Sequence, residues 1–326
     1  MKRFREFMGC FALLLIILFI GCKDDTDGLE AEIAKISINF ELLRFDQQFG
    51  EAKAEDIPKL KQKYPYLFPA QYPDSVWEAT LNDTLQIALH KAVDSVFTDF
   101  DEVETDLESL FKHIAHYFPR YKVPKTVTLI SRVDYNNRVI LSDSLLLIGL
   151  DNYLGHGHKF YAGLSNYIAK GLDKKYLTSD VASAFAKTVN PYPRDRTFLS
   201  RMVHYGKELY LKDKLLPNAT DAQKIGYTDD EMGWAKANEE QMWRHFIEQE
   251  LLYSTDSSLD RKFLDPAPFS KFGLELDSES PGRLGRYLGW QIVRAYAEKN
   301  DNVGLIELLD MPADELFKKS NYKPRR

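Results

Sequence analysis

The chain has 326 residues, 44% hydrophobic and 13% aromatic, which suffices for a packed core in one large or two ordinary domains and excludes disordered and collagen-like polymers. Its formal charge is −6, and no Lys/Arg cluster follows the N-terminus, so there is no electrostatic footprint for nucleic acid. Cys10 and Cys22 are the only cysteines, so neither a disulfide framework nor a cysteine metal centre can be built beyond residue 22.

Lys2, Arg3 and Arg5 make a basic start, and Phe7 to Ile20 is an apolar run. That run falls short of the roughly 20 residues that span a bilayer but suits the core of a signal peptide. Gly21-Cys22 then resembles the lipobox of bacterial lipoproteins, with Phe19 where leucine is usual at its first position. The resemblance implies export by the Sec route, cleavage before Cys22 and acylation of that cysteine, which would tie the protein to a membrane through lipid. Acidic residues follow at once, which disfavours a signal anchor left uncleaved. Lys23-Asp24-Asp25 resembles the Lys-acid-acid signal that sends lipoproteins of Bacteroidota to the outer face of the outer membrane. Residues 1–21 are thus expected as a cleaved signal peptide, 22–34 as a lipidated cysteine and unstructured tether, and 35–326 as a single domain.

Within that domain, alternation at Ile36, Ser37, Ile38, Asn39 and Phe40 predicts a strand. Glu55 to Lys63 reads as a short helix stopped by Tyr64-Pro65, and YPYLFPAQYPDS as a turn-rich loop. Ser75 to Phe118 predicts two or three helices, broken near Asn82 and Asp99. Thr126 to Ile130 and Arg138 to Leu141 flank Asn136-Asn137, which suits a tight hairpin, and Leu145 to Leu150 adds a further strand. The expected fold class is α+β: a predominantly helical body with a small, mainly antiparallel sheet.

Two later segments carry the candidate chemistry. FLSRMVHYGKELYLKDKLL, from Phe198, predicts an amphipathic helix with Met202, Val203, Gly206, Leu209 and Tyr210 as its apolar stripe. His204 and Glu208, four apart, share a face away from that stripe. Thr228-Asp-Asp-Glu231 has capping-box spacing, so a helix should run from there to about Tyr253. Glu239 sits in the middle of its apolar face, between Ala235 and Met242. A buried carboxylate needs a cation, a set of donors or a metal. Two readings stand open: a structural glutamate paired with Arg201, Arg283 or Arg286, and a metal ligand. Gly282, Gly285 and Gly289 line one helix edge and would admit a neighbouring helix closely. The His156/His158 and His113/His116 pairs read as structural or solvated, and no phosphate loop or G-x-S-x-G elbow is present.

HYGKE followed by NEEQMW resembles a degenerate zincin metallopeptidase, whose HExxH helix and downstream glutamate bind zinc. Carried over residue by residue, the resemblance implies His204, Glu208 and Glu239 as ligands of a possible zinc ion, with Tyr205, Arg283 and Tyr287 lining the site. Tyr205 stands at the general-base position and Glu208 replaces the second histidine, which puts hydrolysis in doubt. The cysteine at 22, RFDQQF at 44–49, LLLIGLDNYLG at 145–155, VHYGKELYLKD at 203–213 and NEEQMWRHFIEQELLYSTD at 238–256 together resemble the GldB family of gliding-motility lipoproteins. That resemblance implies a membrane-anchored component of a gliding machinery linked to type IX secretion, working with other envelope proteins, and Tyr205 at the general-base position makes the expected role a non-catalytic one. The alternative is a metal-dependent peptidase of the cell envelope with residual activity.

Overall fold

Helix-forming alanine, leucine and glutamate dominate Asp25–Ala34, and the segment is a helix, α1, not the irregular tether expected from its charge. The computed structural model describes residues 25–325; the expected signal peptide, Cys22 and Lys23-Asp24 lie outside the described residues. The chain divides into two compact units, 1–37 and 38–326, of which the second carries everything below. No described helix is long and apolar enough to cross a membrane.

The second unit begins with an extended stretch whose ladder forms at β1 (Leu42–Arg44), later than the alternation predicts. Phe40 instead spends its side chain on packing, its ring 5.6 Å from that of Phe111. Helices α2 (Phe45–Gly50), α3 (Ile57–Lys63), α4 (Asp74–Leu81), α5 (Thr84–Val96) and α6 (Asp101–Tyr117) follow, with breaks at Asn82 and before Asp101. Strands β2 (Lys125–Leu129), β3 (Val139–Leu141) and β4 (Leu145–Gly149) complete a sheet of order β1-β2-β4-β3. β1 and β4 both run parallel to β2, and only β3 and β4 are antiparallel. The sheet is therefore mixed, which corrects the expected antiparallel one: five helices between β1 and β2 supply the long crossover that parallel pairing requires.

The expected hairpin across Asn136-Asn137 does not form. Those residues lie in a 3₁₀ turn, Tyr135–Asn137, and β3 turns through Ser142 to pair with β4 instead. Positive φ falls on Arg132 (59°) and Val133 (60°), which is costly for a β-branched residue. The buried Asp151 carboxylate holds that turn, accepting from the backbone N–H of Ser131 at 2.8 Å and of Val133, and from the Ser131 hydroxyl.

The rest is helical: α7 (Asn166–Ala169), α8 (Leu177–Val189), α9 (Phe198–Leu215), α10 (Asp221–Ile225), α11 (Asp229–Ala237), α12 (Glu239–Glu248), α13 (Ser258–Phe263), α14 (Leu284–Lys299), α15 (Leu305–Asp310) and α16 (Ala313–Ser320). α9 is the central element. Its N-terminus is capped by Thr197, whose hydroxyl accepts from Ser200 N–H. Its residues are buried on more sides than one apolar stripe predicts, Lys207 and Lys212 included, because α14 and α8 pack against different faces. Thr228 and Glu231 do form a capping box, but the predicted long helix breaks at Asn238 into α11 and α12. The Arg294 guanidinium locks α14 to α9 and α10, donating to both oxygens of Asp213 and of Asp221 while stacking 3.7 Å from the Trp290 ring centroid.

Many phenols are buried in this body. Burial pushes Tyr121, Tyr176 and Tyr210 up to about 12 and raises Tyr153, Tyr161 and Tyr227 as well. A phenol with a raised folded pKa stays protonated while its unfolded counterpart ionises near 10, so its contribution is complete below pH 10 and lost on going higher. Lys207, held down to about 8 by burial, and Lys212, also lowered by burial, work in the opposite sense up to about pH 10.5, above which only the phenols continue to act. The expected result is a urea midpoint that falls steadily once pH passes about 10. A midpoint level through pH 11 would contradict this.

A cationic cleft beside the candidate residues

A cleft of about 660 Å³ opens where α8, α9 and the start of α14 converge. α9 presents Tyr205, Glu208 and Lys212 to it, at positions three to four apart and so on one helix face. α8 contributes Asp180, Ser183 and Lys187, and the residues around the start of α14 contribute Arg283 and Arg286. Arg138 and Tyr227 complete the walls.

The charges here divide into paired and unpaired. Arg138 grips Asp180 with two hydrogen bonds, of 2.6 and 2.9 Å, and Tyr153 donates to the same carboxylate at 3.0 Å. Lys170 pairs with Glu231 and Lys224 with Asp213. Arg283 and Arg286 have no carboxylate within ion-pair distance among the described residues. Arg283 donates instead to the Gly226 carbonyl at 2.8 Å and lies 5.2 Å from the Tyr227 ring centroid. It caps α14 in the left-handed conformation, φ 62°, which non-glycine residues seldom adopt. Arg286 donates to the Leu264 carbonyl and stacks 3.7 Å from the Tyr205 ring centroid. Lys212, only 5% exposed, donates to the Ser179 hydroxyl and the Lys224 carbonyl, and reaches Glu208 only at 4.0 Å. Burial lowers the pKa values of both Lys212 and Arg283; the Glu208 and Asp180 carboxylates oppose this at Lys212, while neighbouring arginines add to it in each.

Three of the expected site residues therefore share this cleft: Tyr205, Glu208 and Arg283. His204 does not line it. Its ring packs edge-on against Tyr192 and Tyr205, at 4.9 and 5.1 Å, and burial lowers its pKa, favouring the neutral imidazole. Glu208 accepts from the Ser183 hydroxyl at 2.7 Å. Glu239 and Tyr287 lie elsewhere, bonded to each other at 2.8 Å, and Glu239 also accepts from the Tyr322 hydroxyl and the Arg325 N–H. None of Arg201, Arg283 and Arg286 donates to Glu239; Arg201 pairs with Asp260 instead. Among the described residues no group of three His, Cys, Asp or Glu side chains is close enough to hold a metal, so His204, Glu208 and Glu239 do not fit a zinc ion.

No histidine or cysteine is among the described residues lining the cleft, so it offers charge and hydrogen bonds and no histidine-activated nucleophile. Lys212 was within reach of sequence reasoning, four residues beyond Glu208 on the same face. The Arg138–Asp180 pair was not, because only the tertiary fold brings 138 to 180.

No curated protein matches the chain, and no solved structure does. The family model described as Gliding motility protein GldB matches residues 26–324, nearly all of the described chain. The chain accordingly belongs to the GldB family of gliding motility proteins.

Proposed function

We propose that the protein is a lipid-anchored, non-catalytic component of an envelope machinery for gliding, linked to type IX secretion and held at the outer membrane. Membership of the GldB family is the observation that carries this reading. The basic start, apolar run and Gly21-Cys22 support the anchor, and Lys23-Asp24-Asp25 supports the outer membrane. Two features favour a non-catalytic role: Tyr205 at the general-base position, and a Glu239 carboxylate whose oxygens are engaged by two phenols and an amide. In this reading the likeness of HYGKE and NEEQMW to zincin motifs is one of scaffold, without metal chemistry.

Cys22→Ser should abolish lipidation, release the protein from the membrane fraction and stop gliding, since stable anchoring depends on the acyl chains. In the same cells His204→Ala should leave gliding intact. Unchanged fractionation of the Cys22 variant would end the lipoprotein reading, and loss of gliding in a normally folded His204→Ala protein would reopen the peptidase.

A further inference from the structure

The cleft holds more positive charge than the protein itself neutralises. With Asp180 and Glu231 taken up by Arg138 and Lys170, the cleft is left with Arg283, Arg286, Lys212 and the more exposed Lys187 against the one remaining carboxylate, Glu208. The first three share the lining of this one cleft, Lys212 from α9 and the two arginines from the start of α14. Holding like charges together in a half-buried wall is unfavourable unless an anion shares the space. A surplus of more than one positive charge matches a dianion better than a single carboxylate. The two guanidiniums are also anchored, one on the Gly226 carbonyl and one on Tyr205 and the Leu264 carbonyl, so they are pre-positioned rather than swinging in solvent. At about 660 Å³ the cleft is far larger than an inorganic ion needs and falls in the range of small-molecule sites. Tyr135 and Tyr167 line the remainder, where phenols can meet a sugar or another polar body.

We infer that this cleft binds an organic phosphate monoester, with Arg283, Arg286 and Lys212 receiving the phosphoryl oxygens and the tyrosine-lined remainder holding the polar body. Such a group can come from a soluble sugar phosphate or from a lipid headgroup, and the charge pattern recognises the phosphate in both.

The test is calorimetric titration of the detergent-solubilised full-length protein with glucose 6-phosphate, with glucose and inorganic phosphate as controls and phosphatidic acid in mixed micelles as the lipid arm. Glucose 6-phosphate or phosphatidic acid should bind, inorganic phosphate should compete, and glucose should not bind. Whichever arm binds more tightly identifies the source. Arg286→Gln should weaken binding about tenfold, the scale of one charge-assisted contact, while the ligand-free variant stays folded and loses only the few degrees that its Leu264 and Tyr205 contacts supply. Independently of any variant, ligand should slow amide hydrogen exchange in the wild-type protein at 205–212 and 283–286. Absence of binding in both arms at millimolar concentration overturns the inference. So does binding that protects amides elsewhere while leaving these two segments unchanged.

Discussion

Gly206→Ala should be among the most destabilising single-methyl changes in this chain. A Cβ at 206 would land on the carbonyl of Gly289 and 2.8 Å from the Trp290 nitrogen, and a Cβ at 289 would land on the carbonyl of Met202. Both obstacles are backbone, so no side chain can rotate away and α9 and α14 would have to separate. These two helices form the most extensive helix–helix contact of the fold, and much of its largest core packs around them. Overpacking of this kind costs about 1–3 kcal/mol and occasionally more, and the roughly 1 kcal/mol gained from replacing a helical glycine offsets part of it. With backbone as the obstacle on both sides the cost should sit at the top of that range, leaving a net loss of about 2 kcal/mol, read as a lower urea midpoint with unchanged slope. Gly233→Ala is the control, an exposed α11 position where a Cβ meets nothing within 4 Å, and it should gain up to about 1 kcal/mol. Gly206→Ala and Gly289→Ala both force the same separation, so the double variant should cost clearly less than the two losses added together. Additive losses would mean that the helices are not limited by this one crossing.

How much of this was legible in the sequence depends on how far apart the partners lie. The glycines of SPGRLGRYLGW marked a helix edge that could be approached closely, but Gly206 looked like one more member of an apolar stripe. Nothing local says that 206 meets 289. Capping at Thr228, the breaks at Asn82 and near Asp99, and the stop at Tyr64-Pro65 were readable because each is decided within four or five residues. Strand partnership was not. Asn136-Asn137 satisfies the local chemistry of a hairpin turn, yet β2 finds β4 across residues that include all of β3. The same divide applies to the site. Glu208 and Lys212 share a face that spacing reveals, whereas the arginines they meet arrive from about 75 residues away.

Glu239 shows where reading burial from pattern succeeds and reading the partner does not, and it supplies the second large effect. Its place on an apolar face predicted a buried carboxylate, and it is 1% exposed. Its partners are neither arginine side chains nor a metal but three hydrogen-bond donors: Tyr287 at 2.8 Å, Tyr322 at 2.8 Å and the Arg325 N–H at 3.0 Å. As the first residue of α12 it also sits at the positive end of that helix. Burial, reinforced by this carboxylate, raises both phenols well above the ordinary tyrosine range, so they remain donors at any physiological pH. Glu239→Ala would leave the buried Tyr287 hydroxyl, the partly buried Tyr322 hydroxyl and an amide unmatched beside a small cavity, and should cost about 3–5 kcal/mol. Glu239→Gln keeps a carbonyl oxygen for the Tyr322 and Arg325 donors and turns its NH₂ towards Tyr287, whose hydroxyl can then accept. It should therefore cost only about 1–2 kcal/mol. Because Tyr322 and Arg325 are tied to the body through Glu239, the alanine variant should also loosen the segment after Ser320, speeding its amide exchange before global unfolding. The metal reading predicts the reverse pattern. Glutamine would then be nearly as damaging as alanine, and zinc would raise the melting temperature of the wild type alone.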